Sequence, residues 1–245
     1  MSFFRRCLPV FVATGLLLPA AQAQRVEVVG LAASFNISQS WLREPGLQLG
    51  AYQLGGNAGA RFDDTGNRFS AYSRIRLGEG AFFVQPELAY TSVLSSRYDL
   101  SYPGDPGPPS APDYQPPTSG PFGYRIRRAD VAVLAGWHLN PRFYVVAGPV
   151  LARQLRQQIT ASQIASNAVF SSLYEAVERQ QLLAQVGVGL QVWRLDLGLR
   201  YEQSLTPYSR QITYAGQTQG FHQRTNQLIF SAGVLLYDRS RRWRK

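Results

Sequence analysis

"AFFVQPELAY", residues 81–90, alternates two kinds of side chain. In an extended strand Phe82, Val84, Pro86, Leu88 and Tyr90 share one side, and Phe83, Gln85, Glu87 and Ala89 share the other. A soluble sheet turns its apolar side to a core and its Gln and Glu to water. A membrane-spanning barrel inverts the assignment, because lipid takes the apolar side and the lumen takes the polar one. The neighbouring segments decide between the two.

Segments of about ten residues with the same period of two recur along the chain, at 50–62, 68–77, 81–93, 126–138, 143–156, 180–193, 195–206 and 225–237. Each is near the nine to eleven residues or so that a tilted strand needs to cross hydrocarbon. Short turns fall at Gly78-Glu79-Gly80, Leu139-Asn140-Pro141 and around Arg194. Longer connections span 94–125, 157–179 and 207–224, with a brief one at 63–67. Short turns on one rim and long loops on the other, with an even strand count, describe an outer-membrane barrel whose chain ends are periplasmic. The expected fold is all-β: an eight-stranded antiparallel up-and-down transmembrane β-barrel over residues 46–238.

The charged residues fix the faces. An Arg facing lipid at mid-membrane costs roughly 2 to 4 kcal/mol, so Arg74 and Arg200, near the middle of their segments, must point inward. Leu182, Ala184, Val186, Val188, Leu190 and Val192 alternate with Gln185, Gly187, Gly189 and Gln191. Leu195, Leu197, Leu199 and Tyr201 alternate with Asp196, Gly198, Arg200 and Glu202. A polar network of Arg74, Arg76, Glu87, Asp130, Asp196, Arg200 and Glu202 is therefore expected in the lumen. Folding about Glu79-Gly80 sets Arg74 opposite Gln85, and folding about Trp193-Arg194 sets Gln185 opposite Glu202. In the quoted stretch, Phe82, Val84, Leu88 and Tyr90 are expected to meet lipid and Glu87 to face inward. Pro86 cannot donate to the ladder, which implies a bulge or an unpaired carbonyl. Both faces of "FYVVAGPVL", 143–151, are apolar and leave its lipid side open. Tyr52, Phe82, Trp137, Phe143, Tyr144, Trp193 and Tyr237 are expected as an aromatic belt at the periplasmic rim, and Phe62, Phe69, Tyr90, Tyr201 and Tyr208 at the outer one.

The first 23 residues read as a cleaved secretory signal: basic Arg5 and Arg6, an apolar stretch to about Pro19, and Ala21-Gln22-Ala23 before the cut. Cys7 is the only cysteine and lies within that signal, so the mature domain is expected to carry neither a disulfide nor a lipid anchor. The formal charge of +10 falls to +8 when Arg5 and Arg6 leave, with 23 basic against 15 acidic residues remaining. Arg239, Arg241, Arg242, Arg244 and Lys245 crowd into a basic periplasmic tail, 239–245. With an export signal and no binding motif, nucleic acid is not an expected partner. Residues 24–45 are assigned to an N-terminal lead-in, although an extra strand or a plug-like segment fits the same pattern. Eight of the fifteen prolines lie between Pro103 and Pro121, which marks an irregular surface loop.

Catalytic chemistry finds little support. His138 and His222 fall at opposite rims and cannot share a metal or a dyad. Asp63 and Asp64 near His222 are the only candidates for a hydrolytic triad, and "LGGNAG", 54–59, lacks phosphate-loop spacing. No catalytic, metal or cofactor-binding residue is assigned, and no cofactor is expected.

At "VQPELAYTS" and "RADVAVLAGWHLNPRFYVVAGPV" the chain resembles the PorT-like family of small outer-membrane β-barrels. The resemblance implies a membrane barrel and no catalytic residues; some members of that family are linked to protein secretion or gliding machinery. The expected function is that of a non-enzymatic barrel in the outer membrane of a Gram-negative bacterium. It would be a structural or interaction module presenting extracellular loops, linked to secretion or another envelope function, with outer-membrane lipid and other envelope proteins as partners. A narrow porin-like channel and a periplasmic lipocalin-like ligand-binding barrel are the alternatives.

Overall fold

A computed structural model describes residues 24–43, 46–50, 52–56, 64–101, 120–159, 172–173 and 175–239. Residues 1–23, expected as a cleaved signal, together with Asp63, Phe62, most of the proline-rich stretch and residues 240–245, lie outside the described residues. Eleven strands are present among the described residues: β1 (Gln24–Leu42), β2 (Leu47–Leu49), β3 (Tyr52–Gly56), β4 (Asp64–Leu77), β5 (Phe82–Ser101), β6 (Gly120–His138), β7 (Phe143–Ile159), β8 (Gln180–Val192), β9 (Leu195–Ser204), β10 (Ser209–Tyr214) and β11 (Gln217–Asp238). Eight of them form a ring in the order β5-β4-β1-β11-β9-β8-β7-β6, closed by pairing of β5 with β6. Every pairing in that ring is antiparallel. Closure leaves no free edge, which is what a sheet needs in lipid.

The barrel begins earlier than the alternation suggests. Residues 24–42, expected as a lead-in, form its first strand, pairing with β11 from Val28↔Asp238 to Leu42↔Gln223 and with β4 from Gln24↔Leu77 to Ser38↔Asp64. Of residues 50–62, expected as a strand, the described ones contribute β3. It hairpins with β2 and pairs with the outer end of β5 at Gln53↔Ser101 through Gly56↔Tyr98. The register shift between Val26 and Val28 toward β4, in which Glu27 is the extra residue, is the physical reason. It buries the consecutive residues Glu27 and Val28 and breaks the period of two at the start of the strand.

The faces are inverted relative to a soluble sheet. Leu88 is 64% exposed while its neighbour Glu87 is 2% exposed. Leu31, Phe69, Val133, Leu151, Val188, Leu199, Phe230 and Leu236 also point outward, while Arg68, Arg74, Asp130, Arg200 and Glu202 are buried. This is the surface of a transmembrane barrel, and it excludes a lipocalin-like design, which needs an apolar interior and a polar exterior.

Tyr72↔Glu87 and Ile75↔Val84 fix the β4–β5 register, in which Arg74 faces Gln85. The two pairs between them are missing from the ladder with no change of register. The gap lies at Pro86, which has no N–H to give. Gln185 pairs with Glu202 across β8 and β9. Their tight connection holds Trp193 at a φ of 55°.

β7 turns Leu151 outward and Tyr144, Val146, Val150 and Ala152 inward. With Phe83, Ala132, Leu134 and Leu183 they line one wall of the lumen with apolar side chains. Among the aromatics, Trp137, Phe143, Trp193 and Tyr237 are exposed at the short-turn rim, and Phe69 and Tyr90 toward the other. Three depart from the expected belts. Tyr144 and Tyr208 are buried, and Tyr52 pairs in the β2–β3 hairpin at the long-loop rim.

Candidate functional site

The lumen is crossed by a polar network drawn from alternate positions of five strands, four of which supply its ion pairs. β4 supplies Arg68, Tyr72, Arg74 and Arg76, β5 supplies Gln85, Glu87 and Thr91, and β6 supplies Arg128 and Asp130. From the far side, β8 supplies Gln185 and Gln191, and β9 supplies Asp196, Arg200 and Glu202. Spacing by two puts each set on one face of its strand.

Two clusters share the barrel waist. In the first, Arg68 reaches three carboxylates: Nη1 donates to Asp130 Oδ2 at 2.8 Å and lies 3.5 Å from Glu202 Oε2, and Nη2 donates to Glu87 Oε1 at 3.2 Å. Arg200 Nη1 donates to Glu87 Oε2 at 2.7 Å. Arg128 donates to Glu202, as does the Gln227 amide from β11. Arg128 Nε also stands 3.0 Å from Asp130 Oδ1, an ion contact without hydrogen-bond alignment. The Thr91 hydroxyl donates to Asp130 at 2.6 Å.

In the second cluster Arg74 Nη2 donates to Asp196 Oδ2 at 2.5 Å, and Tyr144 donates to Asp196 Oδ1 at 2.7 Å. Tyr72 donates to Asp196 as well, at 2.5 Å. The Arg74 guanidinium lies 3.9 Å from the centre of the Tyr144 ring, within cation–π range. Gln85 joins the clusters, accepting from Arg74 Nε at 2.9 Å and donating to Glu87 at 3.1 Å.

Glycines make room for the aromatic rings of this interior, Gly189 and Gly136 most closely. A Cβ on Gly189 would lie 2.0 Å from the Tyr144 ring, and one on Gly136 would lie 2.1 Å from the Phe83 ring. Small residues opposite large ones let a narrow barrel fill its own lumen.

Of the seven residues expected in the lumen, Arg74, Glu87, Asp130, Asp196, Arg200 and Glu202 are buried and joined in these two clusters. Arg76 stands apart. It pairs with Glu27 at 2.5 Å near the short-turn rim, where His138 Nε2 is 3.6 Å from the same carboxylate. Arg68, Arg128 and Glu27 are additional members. Arg68 keeps the even-numbered parity of Tyr72, Arg74 and Arg76, and extending that parity to the end of the segment finds it. Glu27 falls in the shifted part of β1, where no alternation points to it.

Four guanidiniums and four carboxylates occupy the waist, so it is formally neutral. Every carboxylate has a guanidinium within 3.5 Å. Leaving one charge of a buried pair without its partner is costly, and here each charge of the waist has an opposite charge beside it. Toward the long-loop rim, a space of about 30 Å³ bordered by Arg128, Gln181, Tyr208 and Gln227 has room for about one water. Among the described residues no three His, Cys, Asp or Glu side chains gather as a metal site. His138 packs against Phe83 and Tyr144 at the short-turn rim, whereas the backbone carbonyl of His222 accepts from Arg43 N beyond the other rim. The structure does not bring the two histidines together.

No family model matches the chain, and no curated protein matches it. Among solved structures it is similar to Ail, the attachment invasion locus protein of Yersinia pestis, at 11% identity and a TM-score of 0.37, covering 86% of this chain and 99% of that one. It is similar to the outer membrane protein AlkL, solved in lipid bilayers, at 12% identity and a TM-score of 0.39, covering 87% and 92%. A third is the outer membrane protease OmpT of Escherichia coli, at 9% identity and a TM-score of 0.32, covering 87% and 95%. Likeness at that level says nothing of what this barrel binds or does.

Proposed function

We propose that the chain is a non-enzymatic outer-membrane barrel, closed to solutes, that holds an ordered extracellular platform for contacts with other envelope components. The observation that carries this reading is the reach of Arg68 to Asp130, Glu87 and Glu202, carboxylates of three different strands. A guanidinium shared in that way occupies the axis of an eight-stranded barrel, whose interior is only wide enough for side chains.

The strand lengths supply the platform. About ten residues cross the hydrocarbon, whereas β5 runs for 20 residues, β6 for 19 and β11 for 22. Their excess lies at the long-loop end, where β3 pairs with β5 and β10 with β11. Surfaces built on paired strands hold their geometry better than free loops. PorT-like membership, with its link to secretion or gliding, rests on the two sequence stretches that suggest it and is part of the proposal.

Planar-bilayer recording tests the closed lumen. The purified barrel is expected to give no stable open level, and steady ohmic steps would favour the narrow-channel alternative.

A further inference from the structure

The exterior carries its cations unevenly. On β6, Trp137 marks the short-turn rim, and Val133, Val131 and Ala129 follow on the outward face before Arg127 and Arg125. On β7, Phe143 marks the same rim and Leu151 faces outward before Arg153. Both Trp137 to Arg127 and Phe143 to Arg153 span ten positions. Ten residues cover about 33 Å along a strand, or about 25 Å along the axis of a barrel tilted by about 40°. That is the height of the apolar band of an outer-membrane barrel. Arg127 and Arg153 therefore sit where hydrocarbon gives way to the outer headgroups, with Arg125 one outward step higher.

β6 and β7 are adjacent, and Ala129↔Arg153 is a direct pair. Arg127 lies two positions along β6 from Ala129, across a register shift that pairs it with Arg156, which keeps it near Arg153 on the outer face. Arg125 and Arg153 are exposed and Arg127 is half-buried. Among the described residues none of the three has an acidic partner. At the same height Ser92 on β5, Asn67 on β4, Leu182 on β8 and Leu205 just after β9 are neutral, while β11 carries one half-buried arginine, Arg224, level with Leu205. Three unpaired cations on two adjacent strands, above an apolar wall, match a ligand with both an anionic head and acyl chains.

We infer that Arg125, Arg127 and Arg153 form a seat for the phosphorylated headgroup of an outer-leaflet lipid, whose chains lie along Ala129, Val131 and Leu151. A guanidinium meets phosphate with two parallel donors, and two of them at one height with the third one step above give the seat its preference for phosphate. The inference rests on the outer-membrane reading above. Failure of that reading would show separately, as a chain that stays soluble without detergent.

The test uses the mature chain refolded in detergent micelles and native mass spectrometry of retained lipid. The probes are diphosphoryl lipid A, the same lipid with its phosphates removed, and inorganic phosphate. The wild type is expected to retain the phosphorylated lipid about tenfold more tightly than the dephosphorylated one, the equivalent of one charged hydrogen-bonded contact. The R125Q/R127Q/R153Q variant is expected to lose that difference, R125K/R127K/R153K to keep most of it, and R25Q/R194Q, at the opposite rim, to match the wild type. If the triple glutamine variant fails to fold, R153Q alone is expected to lower retention measurably. Equal retention of both lipids, an unchanged glutamine variant, an equal loss in R25Q/R194Q, or displacement by inorganic phosphate at matched concentration would each overturn the inference.

Discussion

Arg74 and Asp196 meet at 2.5 Å across the lumen, joining β4 to β9, which the ring separates by β1 and β11. The two partners are unequally supported. Without Arg74, Asp196 keeps the hydroxyls of Tyr72 and Tyr144. Without Asp196, the guanidinium keeps amide oxygens of Gln85 and Gln191 and the ring faces around it, and both tyrosines lose their acceptor. Breaking a buried pair costs about 3 to 5 kcal/mol because one charge is stranded. Arg74→Ala is expected at the low end and Asp196→Ala at the high end, measured by urea unfolding of the barrel from lipid vesicles. Equal losses would show that the tyrosine hydroxyls do not sustain the carboxylate.

Gly189 tests the packing that positions this pair. A side chain there would displace the Tyr144 ring, and with it the cation–π contact to Arg74 and the bond to Asp196. Gly189→Val is expected to destabilise the barrel by about 2 kcal/mol or more, in the range of overpacked interiors. Gly78, with open space around it and a φ of 72°, serves as the comparison: Gly78→Asn is expected to cost little, because Asn tolerates that conformation. The unfolding midpoints of the two variants check this.

Depth along the exterior is expected to set the cost of a charge. Val186 lies near the middle of the apolar band and Val192 near its short-turn edge; both are exposed. Val186→Arg is expected to cost about 2 to 4 kcal/mol and Val192→Arg about 0 to 1. The difference is read from folding equilibria in vesicles. In a soluble barrel both substitutions would be nearly neutral.

Alternation made most of the barrel legible. Leu88, Val188 and Leu199 outward with Glu87, Gln185 and Arg200 inward follow from period two and from the cost of a charge in lipid. The Arg74–Gln85 and Gln185–Glu202 pairings follow from turn position alone. β1 was hidden because the register shift at Glu27 places Glu27 and Val28 on the same side, so the pattern at its start does not report the strand. The face of β7 was hidden for the opposite reason: a narrow lumen also needs bulk, and Val146 and Val150 fill it beside Leu134 and Leu183. Partner identities across the lumen, such as Arg68 with Glu202, depend on the stagger of the whole ring, which no single hairpin encodes.

The inverted sheet is the premise beneath these expectations, and the chain permits a direct test because its only cysteine is Cys7. Single cysteines at Leu88, Val133, Val188 and Leu199, placed in a chain carrying Cys7→Ser and labelled with a nitroxide, report contact with oxygen, which dissolves in lipid, or with a polar nickel chelate, which does not. In reconstituted bilayers all four sites are expected to be accessible to oxygen and shielded from the chelate. Chelate access at those four positions would mean that they face water, and would contradict the transmembrane barrel.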